Sequence, residues 1–160
     1  MEDRFSAFHH GLDPAERAVI IDEGMVAGLL DRLEINHTVD EDGDVLAPWD
    51  DLRVYFGFRE EGADRMFSVR TFYDRRYDEG LRRRLLAAVD DWNRRTLWPK
   101  VYTHTFDDGT ISCVGEIFLH AGFGVLRSHF EHSLERWIAA SLEFEAKLLD
   151  RVGEGERGTC

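Results

Sequence analysis

The sequence predicts an α+β domain: one antiparallel β-sheet with three helices on a single face, in the order α-β-β-β-β-α-β-β-α. Two observations carry this. Four strand-like runs, and later two more, are joined by short turn signals, which is how antiparallel neighbours are wired. Three other segments repeat apolar residues at helical spacing, and each needs a surface on which to bury its stripe.

Residues 1–12 read as a loose arm. Asp13 can cap a helix, Pro14 suits its first position, and Glu16 falls three past the cap. Val19, Ile20, Met25, Val26, Leu29, Leu30 and Leu33 continue that helix toward Ile35-Asn36, with Gly24 as its weak point. Strands at 37–39 and 45–48 flank an acidic turn at 40–44. In 52–58, Leu52, Val54, Phe56 and Phe58 share one face while Arg53, Tyr55 and Gly57 share the other. A turn at 60–64 leads to a strand at 66–73. The second helix runs from about residue 78 to 93, with Leu81, Leu85, Ala88, Val89 and Trp92 as its stripe.

Asp108-Gly109 reads as a two-residue hairpin turn. Pairing Asp107 with Thr110 then sets His104 opposite Cys113 and Tyr102 opposite Gly115. That register sends Tyr102, His104, Phe106, Ile111, Cys113 and Ile117 to the core and Thr103, Thr105, Ser112 and Glu116 outward. Gly122-Phe123-Gly124 turns the chain into a last helix over roughly 125–149. The reading is therefore one domain over 13–150, with residues 151–160 as a disordered polar tail.

Composition narrows the function classes. Of 160 residues, 43% are apolar and 32% charged, which suits a globular chain. A net charge of −12 argues against nucleic acid and anionic membrane as partners. Cys113 and Cys160 make no disulfide framework, which fits a reducing compartment. Met1-Glu2-Asp3-Arg4 opens no secretory signal, and no apolar run nears the roughly 20 residues of a membrane span. A cytoplasmic protein is expected.

The candidate chemistry is thin. His104 and Cys113 form a Cys/His pair, yet the predicted register buries both without a third orienting group. His129 and His132 share one side of the last helix, a start for zinc that lacks a third ligand. The carboxylates of 40–44, Asp50-Asp51 and Asp107-Asp108 sit in turns, where Asp serves local hydrogen bonds. No P-loop or dinucleotide pattern occurs. No catalytic, cofactor or metal residue is expected, so the chain reads as non-enzymatic.

Val89-Asp90-Asp91-Trp92-Asn93, then Trp98-Pro99-Lys100, a hairpin, and Gly124-Val125 before a long helix resemble the YbjN domain family over roughly residues 15–150. These are bacterial proteins labelled sensory transduction regulators. The family commonly has Asn where this chain has Asp90. The resemblance implies a fold like that of type III secretion chaperones, which are dimers that hold segments of other proteins. By their own chemistry Trp92 should anchor the second helix, Asn93 should end it, and Pro99 should fix the start of the next strand.

Binding surfaces follow from what is left over. Residues 70–95 hold eight arginines against five carboxylates, a local +3 in an acidic chain. The last helix carries an apolar band of about 160°, wider than the roughly 100° a sheet needs. A second copy of the chain would cover the excess at Phe130, Trp137 and Phe144, giving a homodimer. A protein partner would be engaged through the sheet face away from the helices or through the basic helix, with Arg53, Tyr55, Arg70 and Arg83 as the expected contacts. The rival reading is a small-molecule sensor or enzyme with a pocket between helix and sheet near His104 and Trp98.

Overall fold

The computed structural model describes residues 15–61, 64–153 and 156–157. The predicted arm, His9-His10, the Asp13-Pro14 cap and Cys160 lie outside the described residues. Along the chain run β1 (Ala18–Val19), α1 (Glu23–Arg32), β2 (Thr38–Val39), β3 (Val45–Pro48), β4 (Leu52–Glu61), β5 (Asp64–Tyr73) and β6 (Arg75–Arg76). Then follow α2 (Arg82–Arg95), β7 (Lys100–Thr105), β8 (Ile111–His120), β9 (Val125–Leu126), α3 (Arg127–Val152) and β10 (Glu156–Arg157).

Six strands make one sheet in the order β2-β3-β4-β5-β8-β7, with every pair antiparallel. Strand alternation sends Val54, Phe56, Phe67, Val69, Tyr73, Ile111, Cys113 and Ile117 to one side, where all are buried. The three helices close over that side. α1 contributes Val26, Leu29 and Leu30. From α3, Phe130 meets Phe67 at 5.2 Å and Phe144 meets Tyr73 at 4.9 Å between ring centres. Trp92 of α2 meets the same Phe144 at 5.3 Å. No helix among the described residues is long and apolar enough to cross a membrane.

The first helix starts later than the sequence suggests. Asp22, not Asp13, caps α1: its Oδ1 accepts from the Met25 amide at 2.9 Å. Ala18–Val19 is extended and pairs with β9 instead. Glu16 serves another helix: its carboxylate accepts from the amide (2.7 Å) and hydroxyl (2.6 Å) of Ser128, supplying a negative charge at the α3 N-terminus.

Asn93 does not end α2, which continues to Arg95. Its side-chain amide instead pairs with the edge strand. Nδ2 donates to the Val101 carbonyl at 2.9 Å, and Oδ1 accepts from the Val101 amide at 3.0 Å. One side chain thus satisfies both outward backbone groups of one edge residue. Trp92 Nε1 donates to the Pro99 carbonyl at 3.0 Å, so the Trp-Asn pair ties helix to strand at two points. Asn93→Ala is expected to lower the unfolding free energy by about 1–2 kcal/mol, two hydrogen bonds' worth. Asn93→Asp, which keeps only the acceptor, should fall between the two in urea denaturation.

The hairpin register is shifted by one residue from the predicted one. Phe106, not Asp107, pairs with Thr110, and Gly109 takes φ 83° after the turn. This is a three-residue loop closed by a left-handed glycine, in place of the two-residue Asp-Gly turn. Asp108 favours it, since its Oδ1 accepts from both the amide and the hydroxyl of Thr110. A one-residue slip exchanges the faces of a whole strand. Tyr102 therefore lies opposite Val114 and His104 opposite Ser112.

The wide apolar band of α3 is spent inside the chain. Phe130, Trp137 and Phe144 are 0%, 6% and 1% exposed, so none is available to a second copy. Their placement in a dimer interface is corrected by α2 and the sheet, which together cover more of α3 than a flat sheet alone could. α3 runs to Val152, and Glu156–Arg157 pair with Arg75–Arg76.

Candidate functional site

Among the described residues no helix covers the other face of the sheet, and the chemistry of that face follows from strand alternation. β4 presents Arg53, Tyr55, Gly57 and Arg59, and β5 presents Ser68, Arg70 and Phe72. β8 adds Ser112, Val114, Glu116 and Phe118. With the observed register, β7 adds Tyr102 and His104, and Phe106 continues the row. Phe72 (36%), Tyr102 (39%) and Phe118 (49%) are the exposed large hydrophobic side chains of this face.

Three of the arginines that line it, Arg53, Arg70 and Arg76, are oriented by carboxylates. Arg53 reaches Asp74 Oδ1 through Nε at 3.1 Å and a terminal nitrogen at 2.8 Å. Arg70 Nε lies 3.2 Å from Glu116 Oε1, which also accepts from the Tyr102 hydroxyl at 3.0 Å. Burial, then that bond to Glu116, raises the Tyr102 pKa. Arg76 lies 3.3 Å from Asp108, with its guanidinium carbon 3.8 Å from the centre of the Phe106 ring. Tyr55 and Phe72 meet edge to face at 5.5 Å, and His104 and Phe106 at 4.7 Å.

Two adjoining hollows result. One of about 430 Å³ is walled by Arg76, Tyr102, His104 and Phe106, the other of about 350 Å³ by Asp40, Asp44, Tyr55 and Arg59. Arg53, Arg70 and Phe72 line both. Gly57 lets the acidic turn lean over the sheet: a Cβ there would sit 2.4 Å from Asp44 Oδ1. Burial, then the charge of Asp40, raises the Asp44 pKa. Asp40 itself braces that turn by accepting from the amides of Asp42 and Asp44.

Arg53, Tyr55 and Arg70 thus stand together on this face. Arg83 is exposed on α2, on the helical side of the molecule. Thr103 and Thr105, expected outward, point to the helical side; Arg82 of α2 donates to the Thr105 hydroxyl. Tyr102, His104 and Phe106, expected in the core, stand on the open face. The Cys/His pair dissolves with the register: Cys113 is buried opposite Thr103, and burial, then Glu145, pushes its thiol up to about 12. Trp98 packs 6.4 Å from Trp137 on the helical side, whereas His104 stands on the open face. His129 and His132 are both exposed on α3. Among the described residues, no group of three or more His, Cys, Asp or Glu is placed to hold a metal ion.

The remaining arginines of the basic segment mostly pair locally. Arg82 binds Glu79, Arg95 binds Asp91, and Arg151 of α3 reaches the same Asp91. Surface pairs of this kind contribute little to stability and leave little free charge for docking. The sequence reasoning missed Phe72, Phe106 and Phe118 as surface residues. Phe72 was legible, since it shares its parity with Arg70.

An antiparallel sheet with helices on one side and an aromatic, arginine-bearing surface on the other defines a class of half-covered α+β proteins. The profile of the YbjN family, described as "Putative bacterial sensory transduction regulator", matches residues 22–150, and the chain belongs to that family. Its fold is similar to the crystal structure of "YbjN, a putative transcription regulator from E. coli" (TM-score 0.60, 15% identity, covering 84% of this chain and 93% of that one). It is also similar to an uncharacterized protein from Methanothermobacter thermautotrophicus (TM-score 0.53, 13% identity, covering 83% and 100%). No curated protein sequence matches the chain.

Proposed function

We propose that this protein is a non-enzymatic, chaperone-like regulatory module that holds a segment of a partner polypeptide against its open sheet face. The observation that carries the reading is the row of exposed aromatics, Phe72, Tyr102 and Phe118, set among carboxylate-oriented arginines. Aromatic and arginine side chains dominate protein interfaces because they combine large apolar area with directed donors. Here strands fix their backbones and ion pairs fix two guanidiniums, so little side-chain entropy is left to lose on binding. The family description, a sensory transduction regulator, is consistent with a module that acts by binding.

The test is capture of partner by the wild-type chain and by Phe72→Ala/Tyr102→Ala, with Arg83→Ala as a control on the other side. The double variant should bind at least roughly ten-fold more weakly with an unchanged circular dichroism spectrum, while Arg83→Ala binds normally. Sedimentation velocity settles whether the partner is a second copy. A dimer that the double variant disrupts would make the open face a homodimer interface, in place of the α3 contact expected from sequence.

A further inference from the structure

A second concave site lies on the opposite side of the sheet edge, between the end of α1, the β3–β4 turn and α3. It encloses about 450 Å³. Trp49, Ile35 and Leu142 give it apolar walls, and Glu34, Asp50, Asp51 and Glu145 give it four carboxylates. No basic side chain is among the described lining residues. Arg75 stands behind it, with Nε on Glu145 Oε1 and a terminal nitrogen on Asp51 Oδ2, both at 2.9 Å. One guanidinium thus answers two of the carboxylates, and the cleft keeps a surplus of negative charge.

Glu145 is the telling member. It is 7% exposed, lines the cleft, and its second oxygen, Oε2, is buried with no hydrogen-bond partner among the described residues. A buried carboxylate oxygen without a donor is costly to the folded state, and a cation in the adjoining cleft offsets part of that cost through its charge. The carboxylates are not converged for a metal. They are spread around an indole and two aliphatic side chains, which suits a diffuse charge on an apolar stem.

We propose that this cleft binds an organic cation, an ammonium or guanidinium group on a short alkyl chain, with the stem against Trp49 and Leu142 and the charge toward Glu145 and Asp51. The site is independent of the open sheet face, and its failure would leave that reading untouched.

Isothermal titration calorimetry with agmatine, with an acetylated Gly-Arg-Gly amide, and with butyrate tests it. Saturable binding of either cation and none of butyrate is expected. Agmatine alone points to a free amine as the natural ligand, and the peptide alone to an arginine side chain of a partner; either supports the site. Two variants locate it. Asp50→Asn changes an exposed turn residue. Glu34→Gly removes a carboxylate from a residue at φ 56°, a conformation glycine adopts more readily, so the variant should fold at least as well as the parent. The two together should weaken binding roughly ten-fold or more. The proposal is overturned if neither cation saturates below about 10 mM, if the double variant binds as the parent does, or if Ca²⁺ or Mg²⁺ binds there and agmatine does not.

Discussion

Arg75→Ala is expected to lower the unfolding free energy by about 3 kcal/mol, with urea denaturation at neutral pH as the measurement. The Arg75 side chain is 8% exposed and bridges Glu145 of α3 and Asp51 of the β3–β4 turn. Its removal leaves the Glu145 side chain, itself 9% exposed, without the guanidinium that answers its charge. Breaking such a pair from one side costs about 3–5 kcal/mol because the surviving charge stays buried. The lower end applies here because Asp51, at 21%, still reaches water. Burial already raises the Glu145 pKa against the opposing pull of Arg75, so desolvation outweighs pairing at this carboxylate. Adding Glu145→Leu to Arg75→Ala should therefore recover part of the loss. A double variant less stable than Arg75→Ala would show that Glu145 matters for something other than its charge.

Trp92→Ala should cost about as much or more, roughly 3–5 kcal/mol, by a different route. Trp92 is 4% exposed and packs on Phe144, which also packs on Tyr73 of the sheet. Truncation opens a cavity where α2, α3 and the sheet meet, and it frees the Pro99 carbonyl from its Nε1 donor. Trp92→Phe refills much of the volume without the donor, so it should lose clearly less. Equal losses for the two variants would mean that the hydrogen bond, not the packing, joins helix to strand.

The order of strands and helices was legible because periodicity of two and of 3.6 is written in the core residues themselves. Leu85, Ala88, Val89 and Trp92 are the buried stripe of α2, as their spacing implies. The misjudged hairpin shows where such reading stops. Tyr102, His104 and Phe106 alternate with threonines, so either face could take them, and one loop residue decided it. The aromatic content of the open face hung on that residue. The width of the α3 band was also real, but sequence could not say that α2 would lie across it and bury Trp137 and Phe144 within the chain. The acidic cleft draws on Glu34, Trp49 and Glu145, residues far apart in sequence that only tertiary packing brings together.

Site-specific photocrosslinking in cells tests the open sheet face as the binding surface most directly. A benzophenone amino acid is placed at Phe72 in one variant and at Arg83 in another. Adducts to a polypeptide from position 72 and none from position 83 are the predicted result. Adducts from position 83 alone would contradict it and move the interface to the helical side.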